Sequence, residues 1–444
     1  MSVYSILDFG AVADGVTNSG PAVQKAVDAC TEAGGGRVVV PAGTYLCGTV
    51  RLKDNVELYL EQGAKLLASL NPDDIEMTES PDSTVANRSG YFIGAFHAKN
   101  ISITGFGEIN GQGEKVTVDD DADNGVGECP LNSEGFRPRL TYFEDVTNLT
   151  VQDITLANSA LWTLHMAGCK HVIVQGVKIF NNVRGANNDG IDPDSCQDVI
   201  VSDCIIETGD DAIVVKATKA MTTKYGPMEH LVIKGCVLAS HDSALKIGTE
   251  TWGDIRNIVM SDCIVKDCSR GVGVLLRDGY TIENVLVHDI IGSVRQYHNS
   301  NGRAFAPDWW GKGEPMYLSA THRKGSDRAA GTIRNIVFDN IHMKAESSTF
   351  FRGEADSVIK NVTVRNSSIE YVKMGTQPAG LFDEQPSERN VYPHDIPAFF
   401  AKYVDGLTLD NITVTWTEPK EPAWTGLMEL EDCTKVRINR VEEV

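Results

Sequence analysis

Two short segments gather more carboxylate than a turn requires. Asn187-Asn188-Asp189-Gly190-Ile191-Asp192-Pro193-Asp194-Ser195 is followed by Gly209-Asp210-Asp211-Ala212-Ile213-Val214-Val215-Lys216, and Asp189 and Asp210 stand 21 residues apart. If that interval is one turn of a coiled chain, Asp189, Asp210 and Asp211 converge on neighbouring rungs about 4.8 Å apart. Like charges so close resist simultaneous ionisation, so at least one carboxyl keeps its proton beside ionised partners. A proton donor beside a base that activates water is the pair that acid–base hydrolysis of a glycoside uses. Asp192 and Asp194 suit turns equally well, and Asp192 also suits an orienting role. Clustered oxygens would fit Ca²⁺ too. The second acidic run, Asp119-Asp120-Asp121-Ala122-Asp123-Asn124-Gly125, lacks the spacing and terminal Glu of an EF-hand and reads as a solvated acidic loop.

Cationic residues follow in the same phase. Ser240-His241-Asp242 leads to Lys246, and Arg270-Gly271 leads to Arg277-Asp278; the intervals 210 to 241 and 246 to 277 are both 31 residues. Lys216, His241, Lys246, Arg270 and Arg277 are therefore expected to form a positive stripe beside the carboxylates. The whole chain carries 40 Lys+Arg against 61 Asp+Glu, a net charge of −21. That balance argues against a general nucleic-acid or anionic-membrane binder, and it makes a local basic stripe the place to hold an acidic sugar. The segment from Tyr297 to Tyr317 adds Trp309 and Trp310, whose flat faces suit sugar rings and would wall the site. Walls on one face would close a groove into a pocket and favour attack at chain ends.

The elements that carry these residues follow from an internal repeat. Segments such as Asn148-LTVQDITL, Asp198-VIVSDCII, Asn257-IVMSDCIV and Asn335-IVFDNIHM align on a polar anchor, with early offsets of 23, 27, 32, 27 and 27 residues. Five places after each anchor stand Asp153, Gly176, Asp203, Gly235, Asp262, Asp289, Asn340, Asn366 and Asn411. These residue types tolerate a left-handed backbone, which predicts a tight turn at every repeat. One place further, Ile154, Val177, Cys204, Cys236, Cys263, Ile290, Ile341 and Ile412 predict an inward stack. Equal coils of short parallel strands make an all-β, single-stranded parallel β-helix.

An open solenoid needs a cap, and the helix signal from Ser19 and Pro21 to Gly34 supplies one, with Ser19 in the N-cap region. We expect a single solenoid domain over 1–444, with the cap and first coils over about 1–60 and long loops at about 110–138, 292–332 and 372–400. The 10 cysteines show no disulfide framework and read as reduced core thiols. No apolar run is long enough to span a membrane. The start Met1-Ser2-Val3-Tyr4 has no leader pattern, which suggests the cytoplasm, or the exterior had a leader been trimmed.

These motifs resemble glycoside hydrolase family 28, the polygalacturonases and their relatives. Asn187-Asn188-Asp189 and Gly209-Asp210-Asp211 match the family's Asn-x-Asp and Gly-Asp-Asp motifs. The stretch Asn158 to His165 and the start Asp8-Phe9-Gly10-Ala11 are also typical. The resemblance implies a right-handed parallel β-helix, no metal and no other cofactor, and an acidic plant-type oligosaccharide or polysaccharide as partner. It casts Asp210 as general acid and Asp189 with Asp211 as activators of water, with inversion at the anomeric carbon and carboxyls roughly 6.5–9.5 Å apart. His241 is the counterpart of the family's catalytic histidine, although Ser240-His241-Asp242 lacks its flanking glycines. Asn187, Lys216, Lys246, Arg270, Arg277, Trp309 and Trp310 are the expected substrate-binding residues. The family's Arg-x-Lys motif reads Arg277-Asp278-Gly279, so its lysine is missing and an acid stands in the same stretch; Lys246 is a possible substitute. A polysaccharide lyase on the same fold, or a non-catalytic carbohydrate-binding solenoid, are the alternatives.

Overall fold

The computed structural model describes residues 2–79, 88–299 and 308–444. Short strands stack in parallel along three faces of a solenoid. On the site face the register runs Leu164, Ile191, Ile213, Leu245, Val272, Met316 from coil to coil. On the second face it runs Val172, Val199, Leu231, Ile258, Val285, Ile336, and on the third Ile179, Ile206, Leu238, Val265. These side chains point inward and are buried, so one apolar cluster runs from Ile6 to Trp424. The alternation expected of strands with one solvated face follows directly.

The predicted turn column is present: Asp153, Gly176, Asp203, Gly235, Asp262, Asp289, Asn340, Asn366 and Asn411 all have φ between 54° and 64°. The anchors form a second such column, which the sequence reading did not anticipate. Asn148, His171, Asp198, His230, Asn257, Asn284, Asn335 and Asn361 have φ between 54° and 62°. Asparagine serves twice there, tolerating the left-handed backbone and passing an amide hydrogen bond along the stack. Asn284 donates to Asn257 at 3.1 Å, Asn335 to Asn284 at 3.0 Å and Asn361 to Asn335 at 3.2 Å. The predicted inward column is buried throughout, and all ten cysteines are free.

The cap helix spans Gly20–Glu32 and buries Ala22, Val23, Ala26, Val27 and Cys30 against the first coils. Pro21 sits in its first turn, but Ser19 makes no side-chain cap. Its hydroxyl instead bonds the backbone of Val12, and Asn18 Oδ1 accepts from Gly20 N at 2.9 Å. A second helix, Lys219–Tyr225, was not expected. It fills the longest of the early offsets, between strands Ile213–Ala217 and Met228–Lys234.

The expected loops are more structured than their composition suggested. Within 292–332 lies the site-face strand Glu314–Ala320, which carries Tyr317 into the core against Phe350 rather than onto the wall of a site. A hairpin of Leu381–Asp383 with Val391–Pro393 and the strand Phe399–Lys402 occupy 372–400. The 110–138 loop contains the pairing Thr117–Val118 with Asn132–Ser133. Its acidic run is only partly solvated. Asp119 is salt-bridged to Arg184, and Asp123 is buried, its Oδ2 accepting from Glu128 N and Cys129 N at 2.7 Å each. Part of the Tyr297–Tyr317 segment, residues 300–307, lies outside the described residues.

Candidate active site

The Asn-x-Asp and Gly-Asp-Asp segments sit side by side because their strands, Ile191–Asp194 and Ile213–Ala217, are paired neighbours on the site face. Gly190 N donates to Asp211 O at 2.9 Å, which puts Asp189 and Asp211 one rung apart. Asn188 Oδ1 accepts from Gly209 N at 2.9 Å and from Asp210 N at 3.1 Å, while its Nδ2 holds Asn182 O at 2.8 Å. This amide, only the variable residue of its motif in the sequence reading, pins the turn that aims Asp210. Gly209 is required by space: a Cβ there would sit 2.3 Å from Gly185 O.

One carboxylate oxygen from each of Asp189, Asp210 and Asp211 lies within 4.8 Å of the others. The expected convergence is therefore present. Asp210 is the most exposed of the three. Its Oδ2 accepts from Asn187 N at 3.0 Å and its Oδ1 from Asp211 N at 2.9 Å. Asp211 accepts from Lys246 Nζ at 2.8 Å and from Ser243 N at 3.2 Å. Lys216 Nζ stands 3.6 Å from Asp189, 3.7 Å from Asp192 and 3.6 Å from Glu250, and 4.6 Å over the Trp162 ring.

Burial pushes Asp189 and Asp211 well above the ordinary carboxylate range, with Asp210 and Asp192 adding to the first and Asp242 to the second. Asp210 is raised by burial and then by Asp242, against the two backbone donors that favour its anion. Desolvation thus leads the effect that the sequence reading assigned to crowding. Burial also takes Asp192 up to about 7 and Asp194 to about 6. Asp194 is a structural residue whose carboxylate accepts from Thr218 N and Oγ1 at 2.9 and 2.6 Å.

A cavity of about 480 Å³ opens over the triad, and Asn187, Lys216, Lys246, Trp309 and Trp310 line it as expected. Lys246 lies 4.4 Å over the Trp310 ring. Trp309 is mostly buried, donating its indole N–H to Glu128 O at 2.8 Å.

Three expected residues are not in the cavity. His241 is stacked on Tyr297 at 3.8 Å with Trp309 edge-on at 5.7 Å, and burial together with Arg295 lowers its pKa to about 3. The residue that faces the cavity from this segment is its neighbour Asp242, in the bend between the strands Val237–Ser240 and Ser243–Thr251. Arg270 and Arg277 are both 0% exposed. Arg270 donates to Asp383 O at 2.9 Å and covers Tyr317, and Arg277 donates to Ser319 O at 2.9 Å. The hairpin at 381–393 folds over both, so they tie loop to spine and the expected stripe shrinks to two lysines.

The sequence reading missed Arg323, Glu250 and Asp242, which line the cavity, and Arg137, which donates to Asn187 Oδ1 at 3.3 Å. Arg323 comes from outside the repeat; the sole signal for it was the odd acid Asp278, to which it is bonded. Among the described residues, two groups could hold a cation: the triad itself, and His322 with Glu354 and Asp356, whose ligand atoms also lie within 4.8 Å of one another.

Residues 30–290, well over half of the chain, match glycosyl hydrolases family 28. The chain belongs to that family. Among family 28 relatives it is 30% identical to a probable polygalacturonase of Vitis vinifera over 62% of this chain and 58% of that one. To an exo-poly-alpha-D-galacturonosidase of Dickeya chrysanthemi it is 23% identical over 82% of this chain and 71% of that one. The chain spans 58% and 43% of the length of two plant relatives. In fold it is similar to the family 28 exopolygalacturonase of Yersinia enterocolitica, with a TM-score of 0.71, 18% identity and coverage of 98% and 78% of the two chains. For the exopolygalacturonase of Thermotoga maritima the TM-score is 0.63, with 21% identity and coverage of 93% and 91%.

Proposed function

We propose that this chain hydrolyses galacturonate-containing, pectin-type oligosaccharides from a chain end. The observation that carries the reading is the convergence of Asp189, Asp210 and Asp211 in a walled cavity. Asp210, the most exposed of the three and fixed by two backbone donors, is the general acid that protonates the leaving oxygen. Asp189 and Asp211, deeper and one rung apart, flank the position of the attacking water, each beside a lysine. The names of the relatives support a galacturonate substrate. Trp310 and Gln385-Pro386, from two segments outside the repeat, both line the cavity, which supports exo action.

The lyase alternative is disfavoured because it needs an unprotonated basic side chain. Burial pulls Lys246 down, but Asp211 and Asp242 outweigh it and hold the ammonium protonated. The family resemblance favours inversion.

The test is digestion of defined galacturonate oligomers with the product anomer followed by NMR. The proposal expects inverted, saturated products and a loss of about 10²–10⁴-fold in kcat for Asp210→Asn. Retention would transfer Asp189 or Asp211 to the role of nucleophile. An unsaturated product, or full turnover by Asp210→Asn, would end the assignment.

A further inference from the structure

The cavity presents a charge problem for an acidic sugar. Among the described residues it is lined by six acids (Asp189, Asp210, Asp211, Asp242, Glu250 and Asp308) and three cations. Two of those cations face acids inside the cavity: Lys216 lies 3.6 Å from both Asp189 and Glu250, and Lys246 lies 2.8 Å from Asp211 and 3.7 Å from Asp242. The third, Arg323, also favours the anion of the cavity-lining Glu250, but it is in addition held from behind the wall. Its Nε and Nη2 fork onto Asp278 at 2.6 and 2.8 Å, and Nη2 also donates to Thr249 O at 2.6 Å. Asp278 does not line the cavity. It is buried behind the wall, with Thr251 N donating to its Oδ2 at 3.0 Å. The ion pair therefore has its negative end in the wall and its positive end at the cavity. The Arg323 backbone is bridged to Ser387, next to the cavity-lining Gln385-Pro386, so the guanidinium is held at both ends.

We infer that the Asp278–Arg323 pair is the carboxylate-recognition element of this site, an inference that rests on the uronate reading above. A planar guanidinium fixed along one edge presents a directional cation to a sugar carboxylate, which a mobile ammonium does not. It also explains the acid in the Arg277-Asp278-Gly279 stretch. Where a lysine is missing, Asp278 recruits a cation from another segment. Arg323 is thus a specificity-determining residue, and Asp278 positions it.

Isothermal titration of the full chain with D-galacturonate and with D-galactose tests this. The wild type prefers galacturonate. Arg323→Gln weakens galacturonate binding about 10–100-fold and leaves galactose binding within about twofold, which erases the preference. Arg323→Lys restores part of it, and Asp278→Asn, which keeps the arginine, lowers it less than Arg323→Gln does. A preference that survives Arg323→Gln overturns the inference, and so does an equal loss of both sugars or a wild type indifferent to the carboxylate. Preferential galacturonate binding without turnover of oligomers would instead sink the hydrolytic reading and leave this one standing.

Discussion

Lys246 bonds Asp211 at 2.8 Å while its ammonium lies 4.4 Å over the Trp310 ring. One side chain thus ties a carboxylate of the triad to the aromatic wall. The lysine opposes the burial that raises Asp211, so it favours the ionised form of that carboxyl.

Removing the lysine should therefore move the pH profile in a definite direction. In Lys246→Met the Asp211 pKa rises, and the base stays protonated to higher pH. The acidic limb of kcat/KM shifts upward, and activity at its optimum falls by about 10²-fold. A profile lowered uniformly with its limbs unmoved would show that Lys246 acts on substrate instead.

His241 should be dispensable for chemistry. It is neutral, stacked and outside the cavity, and its Nδ1 is a buried atom with no hydrogen-bond partner among the described residues. His241→Phe keeps the stack on Tyr297 and removes that orphan, so kcat is expected to stay within about threefold and the melting temperature not to fall. A loss of several orders of magnitude would restore the catalytic role expected from the family motif.

Gly209→Ala tests the backbone contact under the acid. The new Cβ, 2.3 Å from Gly185 O, must push two backbones apart. Overpacking of this kind costs about 1–3 kcal/mol, and it displaces Asp210 as well. Calorimetry and kinetics on the same sample should both show the loss; an unchanged melting temperature would mean that the turn yields freely.

Asp192 is a stability liability at neutral pH. Burial raises its carboxyl to about 7, with Lys216 and Asp189 opposing it. An unfolded aspartate titrates near 3.9. Between those values the unfolded chain has released a proton that the folded chain retains, so stability present below the unfolded pKa is lost as pH rises through about 7. Asp192→Asn should gain about 2–4 kcal/mol at pH 8 and almost nothing at pH 3 in denaturant titrations. A loss at pH 8 would show that pairing with Lys216 outweighs burial.

The solenoid was legible because each coil repeats the same local needs. Left-handed turns select Asn, Asp and Gly, and inward positions select Ile, Val and Cys. The anchors were noticed as polar but not as turns, since His171 and His230 among them hid the preference. The triad was legible through spacing, because one coil sets the distance between Asp189 and Asp210. Arg323 was not, because long-range pairing with Asp278 leaves no period in the chain. His241 and Asp242 were exchanged for a related reason: the bend after Ser240 breaks the alternation that assigns sides, and composition cannot tell which of two neighbours turns inward. Arg270 and Arg277 kept the expected phase but lost the expected role, since the hairpin that covers them lies about a hundred residues further on.

Asn284 and Asn335 are 51 residues apart and still share an amide hydrogen bond at 3.0 Å. A detour of any length can leave the stack and rejoin it without dislocating the next coil. The walls around the sugar are therefore modular with respect to the acids beneath them. Grafting different excursions between these two asparagines offers a route to new substrate preferences while the chemistry stays where it is.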